Sequence, residues 1–135
     1  MVHASFFKES NLLLSIYSGP LTKDDVFSLR EELEKICTGD IMITSIAFFK
    51  YARVVDVSVA NSFAQLTSDY HKSLLQIAVV GLTPFQKLIY NIYSSLTHQL
   101  VEHVLFDDLE YVSLKYSICL PQFYYTLKSE QESKA

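Results

Sequence analysis

Glycine is scarce in this chain, three residues among 135. A Walker-type phosphate loop needs paired glycines followed by Lys and Ser or Thr, and a dinucleotide-binding turn needs three glycines close together. The stretch that looks most like such a joint, IAVVGLTPFQKLIYNIY at 77–93, holds only Gly81, and Pro84 removes one of the N–H donors a phosphate would use. Each residue there has a structural task instead. Gly81 ends a strand, Thr83 caps a helix, Pro84 takes its first position and Gln86 closes a capping box. The joint argues against a nucleotide cofactor.

Cysteine is nearly as rare. Cys37 and Cys119 form no framework of spaced pairs, so they read as reduced, partly buried thiols of a cytoplasmic protein. Charge is sparse too: 19% of residues, with a net −4 spread along the chain. No basic surface is offered to nucleic acid or to an anionic membrane. Apolar runs reach about half the ~20 residues needed to cross a bilayer, and MVHASFFKESN has neither the basic start nor the apolar centre of a signal peptide. The expectation is a chain with no transmembrane segment.

Catalytic patterns are missing as well. There is no Gly-x-Ser-x-Gly elbow for a serine nucleophile. Cys37 falls at the end of a helix, where the dipole raises a thiol's pKa and works against activation. His98 and His103 are five apart with Glu102 between them, which is not the spacing of a helical zinc pair. Asp24/Asp25 and Asp107/Asp108 sit at helix starts, where capping and the dipole explain them. The sequence therefore reads as a non-enzyme with no catalytic residue, no metal ligand and no cofactor.

What is present is a core. Half the residues are hydrophobic, enough for one substantial domain. HASFF and LLLSIYS are strand-like runs joined by the polar KESN, a hairpin that Gly19 and Pro20 should stop. TKDDVFSLREELEKICTGD is the clearest helix, with Thr22 as N-cap, Val26, Leu29, Leu33 and Ile36 on one face, and Gly39 at its end. DIMITSIAFF reads as a central strand buried on both sides, followed by a helix from about Val57 to Lys72. QIAVVG is a second buried strand. The helix after it carries Phe85, Leu88, Ile89, Ile92 and Leu96 as one stripe. VEHVLF is a short strand and DDLEYVSLKYS a short helix. Strands alternating with helices imply crossover units and an α/β, mainly parallel sheet of four to five strands behind an N-terminal hairpin. One domain is expected over 1–120. Residues 121–135 form an aromatic arm with a frayed polar tail of about seven residues.

The segments LLLSIYSGPLTKDDVFSLREELEKI, QIAVVGLTPFQKLIYNIYSSL and VEHVLFDDLEYVSLKY resemble, in that order, the SpoIIAA-like branch of the STAS superfamily (sulphate transporter and anti-sigma-factor antagonist domains). The likeness runs from about Phe6 to Ile118 and lies in pattern more than identity. It implies a sheet with helices packed on it and a regulatory role through protein contacts. The Asp-Ser turn of the classical antagonists has no counterpart here. Asp56-Val57-Ser58 is the nearest approach, with Ser58 the candidate regulatory residue and Asp56 or Ser58 the candidate N-cap of the second helix.

Two functions are compatible with these features. The first is a non-catalytic binding module that recognises another protein or itself. Phe123, Tyr124 and Tyr125 after Pro121 are its candidate interface, packed across a sheet edge or a subunit boundary of a homodimer. The alternative is a carrier or sensor of a small apolar, lipid-like ligand, its pocket lined by Phe48, Phe49, Tyr51, Tyr90 and Tyr93.

Overall fold

A computed structural model describes residues 1–134. Five strands, β1 (Val2–Phe7), β2 (Leu12–Leu21), β3 (Ile43–Val54), β4 (Leu74–Val80) and β5 (Glu102–Phe106), form one sheet in that order. β1 runs antiparallel to β2, and the other three pairings are parallel. Each parallel pairing is bridged by a helix: α1 (Lys23–Ile36), α2 (Val59–Tyr70) and α3 (Pro84–Thr97). Two further helices, α4 (Leu109–Lys115) and α5 (Gln122–Ser133), follow β5. This is the mainly parallel α/β architecture expected from the sequence.

Strand alternation sorts the core into two layers. Leu13, Tyr17, Ala47, Ile77 and Val79 face α1, α2 and α3. Leu14, Ile16, Ile46, Phe48 and Val80 face α4 and α5. β3 is the hinge of this sorting. Ile16 pairs with Phe48 but Ser18 pairs with Tyr51, so β3 carries one extra residue, a bulge. The bulge puts Tyr51 on the same side as Phe48, and the two rings meet edge-on at 5.7 Å.

Several boundaries differ from the sequence reading. β2 does not stop at Gly19 and Pro20 but continues to Leu21, pairing with Ala52, Arg53 and Val54. Its β1 partner ends at Val2 opposite Tyr17, so β2 is an edge strand there and tolerates proline. α1 ends at Ile36, ahead of Gly39, which instead turns the following loop with φ 67°. α2 is shorter than expected, and His71–Ser73 forms a separate 3-10 turn. The tail expected to fray is helical through Ser133, because Tyr124 and Leu127 bury themselves under the sheet and hold the helix in place.

Gly81 has a specific role at the β4–α3 joint. Its φ is +76°, and a Cβ there would lie 3.0 Å from both the Phe48 ring and Lys50 Cβ. Its N–H donates to the Phe106 carbonyl at 2.9 Å, tying the end of β4 to the end of β5.

Candidate functional site

α3 is the element whose surface departs most from a simple amphipathic helix. Its cap is complete: the Gln86 N–H donates to Thr83 Oγ1 at 3.3 Å, and the Thr83 N–H donates to Gln86 Oε1 at 2.9 Å. Gln86 also reaches inward. Its amide nitrogen donates to the carbonyls of Phe49 (2.9 Å) and Ala52 (2.8 Å), on either side of the β3 bulge. β4 pairs with β3 only as far as Phe48, and beyond that point one buried side chain supplies donors to two β3 carbonyls. The sequence marked Gln86 only as a cap. A polar residue one position after Phe85 and three before Ile89, on a helix face otherwise apolar, was the signal for the second task.

The inner face of α3 is Gln86, Ile89, Tyr90, Tyr93 and Thr97. Phe85, Leu88, Ile92 and Leu96 point outward, 55%, 62%, 45% and 55% exposed. Ile89 alone of the expected stripe packs on the core. Lys87 is the sole charge in the helix. Four large apolar side chains spaced along one exposed helix face are more than scattered surface hydrophobics.

Beneath α2 and α3 lies a cavity of about 100 Å³, bounded by the sheet. Of the residues the sequence singled out for a pocket, Phe49, Tyr90 and Tyr93 line it. Phe48 and Tyr51 lie on the opposite face of the sheet, against Tyr124. Adjacent strand residues point to opposite sides, so Phe48 and Phe49 cannot share a pocket. Tyr17, which no sequence signal singled out, also lines the cavity. It is fully buried, stacked on Phe49 at 4.7 Å and edge-on to Phe63 at 5.7 Å. Its hydroxyl has no hydrogen-bond partner. Ser15 lies nearby, but its hydroxyl donates to the Ile46 carbonyl at 3.4 Å. Burial drives the Tyr17 pKa far above the ordinary phenol value; the neighbouring Ser15 hydroxyl offsets part of the rise, and the Asp25 carboxylate adds to it. Of the other hydroxyls around the cavity, Tyr93 bonds Thr67 at 2.8 Å and Tyr90 bonds His103 Nδ1 at 3.1 Å.

Ser58 stands just before α2. Its hydroxyl is buried without a partner, and it makes no cap bond of its own. The capping is done by Asp56, whose Oδ1 accepts the Ser58 N–H at 2.9 Å. That bond, more than any other contact, holds the Asp56 carboxyl below its usual pKa. In the C-terminal segment, Phe123 stacks on His3 of the edge strand β1 at 4.6 Å. Tyr124 is buried, its ring edge-on to Phe48 at 5.7 Å and its hydroxyl donating to Glu110 at 3.2 Å. Tyr125 is exposed. Of the candidate interface, Tyr125 faces outward and Phe123 is half-buried. Among the described residues, no group of three His, Cys, Asp or Glu side chains is placed to hold a metal. No helix among them is long and apolar enough to cross a membrane.

A hairpin-led, mostly parallel five-stranded sheet with three crossover helices on one side and two helices on the other is a SpoIIAA-like, STAS-type fold. No family model and no curated protein sequence matches the chain. Solved structures do. An uncharacterized protein of the DUF3478 family with a SpoIIAA-like fold, from Shewanella loihica PV-4, aligns with a TM-score of 0.63 at 17% identity, over 88% of this chain and 93% of that one. The anti-sigma factor antagonist SpoIIAA in its unphosphorylated form aligns with a TM-score of 0.55 at 13% identity, over 89% of this chain and all of that one, 100%. At such identities the likeness is one of fold.

Proposed function

We propose that this protein is a non-catalytic, cytoplasmic binding module that works by docking an apolar helix face on a protein partner, a second copy of itself included. The observation that carries this reading is the exposed row Phe85, Leu88, Ile92 and Leu96 on α3. Exposed apolar rows of this kind are relieved when another surface covers them. The fold is compatible with such a role, since SpoIIAA is an anti-sigma factor antagonist. Two free thiols, Cys37 and Cys119, suit a reducing compartment. Light scattering over a range of concentrations tests the self-association. The expected result is a dimer that dissociates on Leu88→Glu with Ile92→Glu. Dissociation by Tyr125→Glu instead moves the interface to α5. A monomer at every concentration removes self-association and leaves only a foreign partner.

Ser58 is proposed as a regulatory position, since a phosphate on a buried hydroxyl would disturb the start of α2. Loss of self-association in Ser58→Glu but not Ser58→Ala is expected, and equal behaviour of the two rules it out. The alternative of a lipid carrier draws less support. Drug-sized pockets span roughly 300–1,000 Å³, and the cavity here is near 100 Å³.

A further inference from the structure

α3 is tied to the sheet at two places along its length. Its first turn is fixed by Gln86, whose amide nitrogen donates to the carbonyls of Phe49 and Ala52 on β3. Its last two turns meet β5, and there the polar contact is with one side chain, His103. Tyr93 stacks on the imidazole at 5.3 Å. The Tyr90 hydroxyl lies 3.1 Å from Nδ1 and the Thr97 hydroxyl 3.4 Å from Nε2. Both ring nitrogens are therefore taken up by α3. β5 is the outermost strand of the sheet and pairs only with β4. The first tie does not titrate near neutral pH, and the second does.

The neutral ring fits this setting and the charged ring does not. Thr97 donates to the Tyr93 carbonyl at 2.9 Å, so its oxygen is left to accept from Nε2, and Nδ1 is left to accept from Tyr90. A proton added at Nδ1 meets the Tyr90 O–H. Among the described residues no carboxylate lies near the ring to balance the new charge. On α3 the groups against the ring are Tyr90, Tyr93 and Thr97, with His98 at the helix end repelling a like charge. On β4 the residue paired with His103 is Ile77. On β5, Glu102 points to the other face of the sheet and accepts from Gln76 at 2.6 Å. α2 reaches the ring only through Thr67, bonded to Tyr93 at 2.8 Å. Burial, with His98 second, accordingly holds the His103 pKa below 6.5. A released helix takes up the proton before a docked one does. The contact is complete above about pH 6.5 and is lost as the pH falls through the lower value.

Ile92 and Leu96, the C-terminal half of the exposed row, stand on the same turns as Tyr90, Tyr93 and Thr97. Gln86 keeps the first turn in place, so release at His103 moves Ile92 and Leu96 away from their line with Phe85 and Leu88. We infer that His103 is a proton-operated latch: neutral, it clamps the last two turns of α3 to β5 and aligns the row for docking, and protonated, it frees those turns and weakens docking. The latch stands on the contacts of His103. Its effect on docking rests on the role proposed for the row.

Two measurements on the full-length chain separate the latch from that role. The first is an NMR titration from pH 7.5 to pH 5 of dilute protein carrying ¹⁵N-labelled His and ¹³C-labelled Ile and Leu methyl groups. His103 is expected to carry its proton on Nε2 at pH 7.5. The methyl signals of Ile92 and Leu96, on the outer side of the helix from the ring, should move with the His103 midpoint, while Leu88 stays still. His103→Gln should abolish this movement, and His98→Gln should keep it. Tyr90→Phe removes the hydroxyl that bonds Nδ1 and should raise the His103 midpoint toward 6.5. The second measurement is the dimer dissociation constant by light scattering. It is expected to rise about five-fold from pH 7.5 to pH 5.5, and to stay level in His103→Gln. Methyl signals of Ile92 and Leu96 that ignore the His103 midpoint, or that move equally in His103→Gln, overturn the latch, as does an unchanged midpoint in Tyr90→Phe. A dimer equally tight at both pH values overturns its coupling to the row. A monomer at both pH values counts against self-association alone, and the methyl titration then decides the latch.

Discussion

The two faces of the sheet make opposite use of aromatic residues. On the α4–α5 face, Phe48 sits edge-on to Tyr51 and Tyr124 and the layer closes. The hydroxyls at its rim are answered: Tyr124 donates to Glu110, and Tyr116 to Gln76 at 2.7 Å. On the α1–α3 face, Tyr17, Phe49 and Phe63 pack against one another, yet space remains beside them and one hydroxyl is unanswered. His3 Nδ1 on the α4–α5 side is likewise buried without a partner, so what separates the two faces is the space beneath α2 and α3.

Neighbouring phenylalanines on β3 give the strongest way to break this contrast. Phe48 is fully buried on the closed face, while Phe49 is half-buried beside the cavity. Phe48→Ala should cost about 3–5 kcal/mol in urea unfolding. Phe49→Ala should cost less, about 2 kcal/mol, because part of its surface is already free of contacts. If Phe49→Ala costs as much as Phe48→Ala, the cavity face is packed as tightly as the other.

Gln86 gives a smaller effect that sharpens the same contrast. Its hydrogen bonds join β3, at Phe49 and Ala52, to the start of α3 at Thr83. Gln86→Leu leaves the carbonyls of Phe49 and Ala52 and the N–H of Thr83 without their bonds. Each buried unsatisfied group costs about 1–3 kcal/mol, and partial relaxation toward water brings the sum to roughly 2–4 kcal/mol. Thr83→Ala removes only the cap, for about 1 kcal/mol. A Gln86→Leu loss no larger than that of Thr83→Ala means that Gln86 only caps. Chemical denaturation of the two variants decides between these outcomes.

The elements of the fold were legible because hydrophobic period, caps and the glycine at the β4–α3 joint all spoke for the same answer. Thr22, Thr83, Pro84 and Gly81 do locally what the sequence suggests. The site was less legible for two physical reasons. A periodic stripe says that apolar residues share a helix face, not whether anything covers it. Phe85, Leu88, Ile92 and Leu96 share a face and point outward because Tyr90, Tyr93 and Thr97 fill the inner one. A strand residue's side is fixed by register, and one extra residue in β3 placed Tyr51 with Phe48 and away from Phe49. Tyr17 escaped notice because a tyrosine in an apolar strand carries no mark of whether its hydroxyl will find a partner.

The smallest expected effect concerns pH, and it places the instability at low pH on the α3 side. His103 on β5 faces α3, stacked on Tyr93 at 5.3 Å. The Thr97 hydroxyl donates to the Tyr93 carbonyl at 2.9 Å, so toward His103 Nε2, 3.4 Å away, it acts as acceptor. That assigns the proton to Nε2 and leaves Nδ1 to accept the Tyr90 O–H. Protonating the ring removes this acceptor and charges a half-buried group. Burial first, and the neighbouring His98 second, hold the pKa of His103 below its ordinary 6.5. The unfolded chain therefore takes up this proton before the folded one does. The contribution of His103 to stability is complete above about pH 6.5 and is lost as the pH falls through the lower, folded value. The urea midpoint should thus drop between pH 7 and pH 5, and the drop should shrink in His103→Gln, whose amide can keep an acceptor toward Tyr90. His3, on the opposite side against Phe123, serves as the control. An equal drop in His103→Gln, or a larger rescue by His3→Gln, would locate the titration on the α4–α5 side and reverse the assignment.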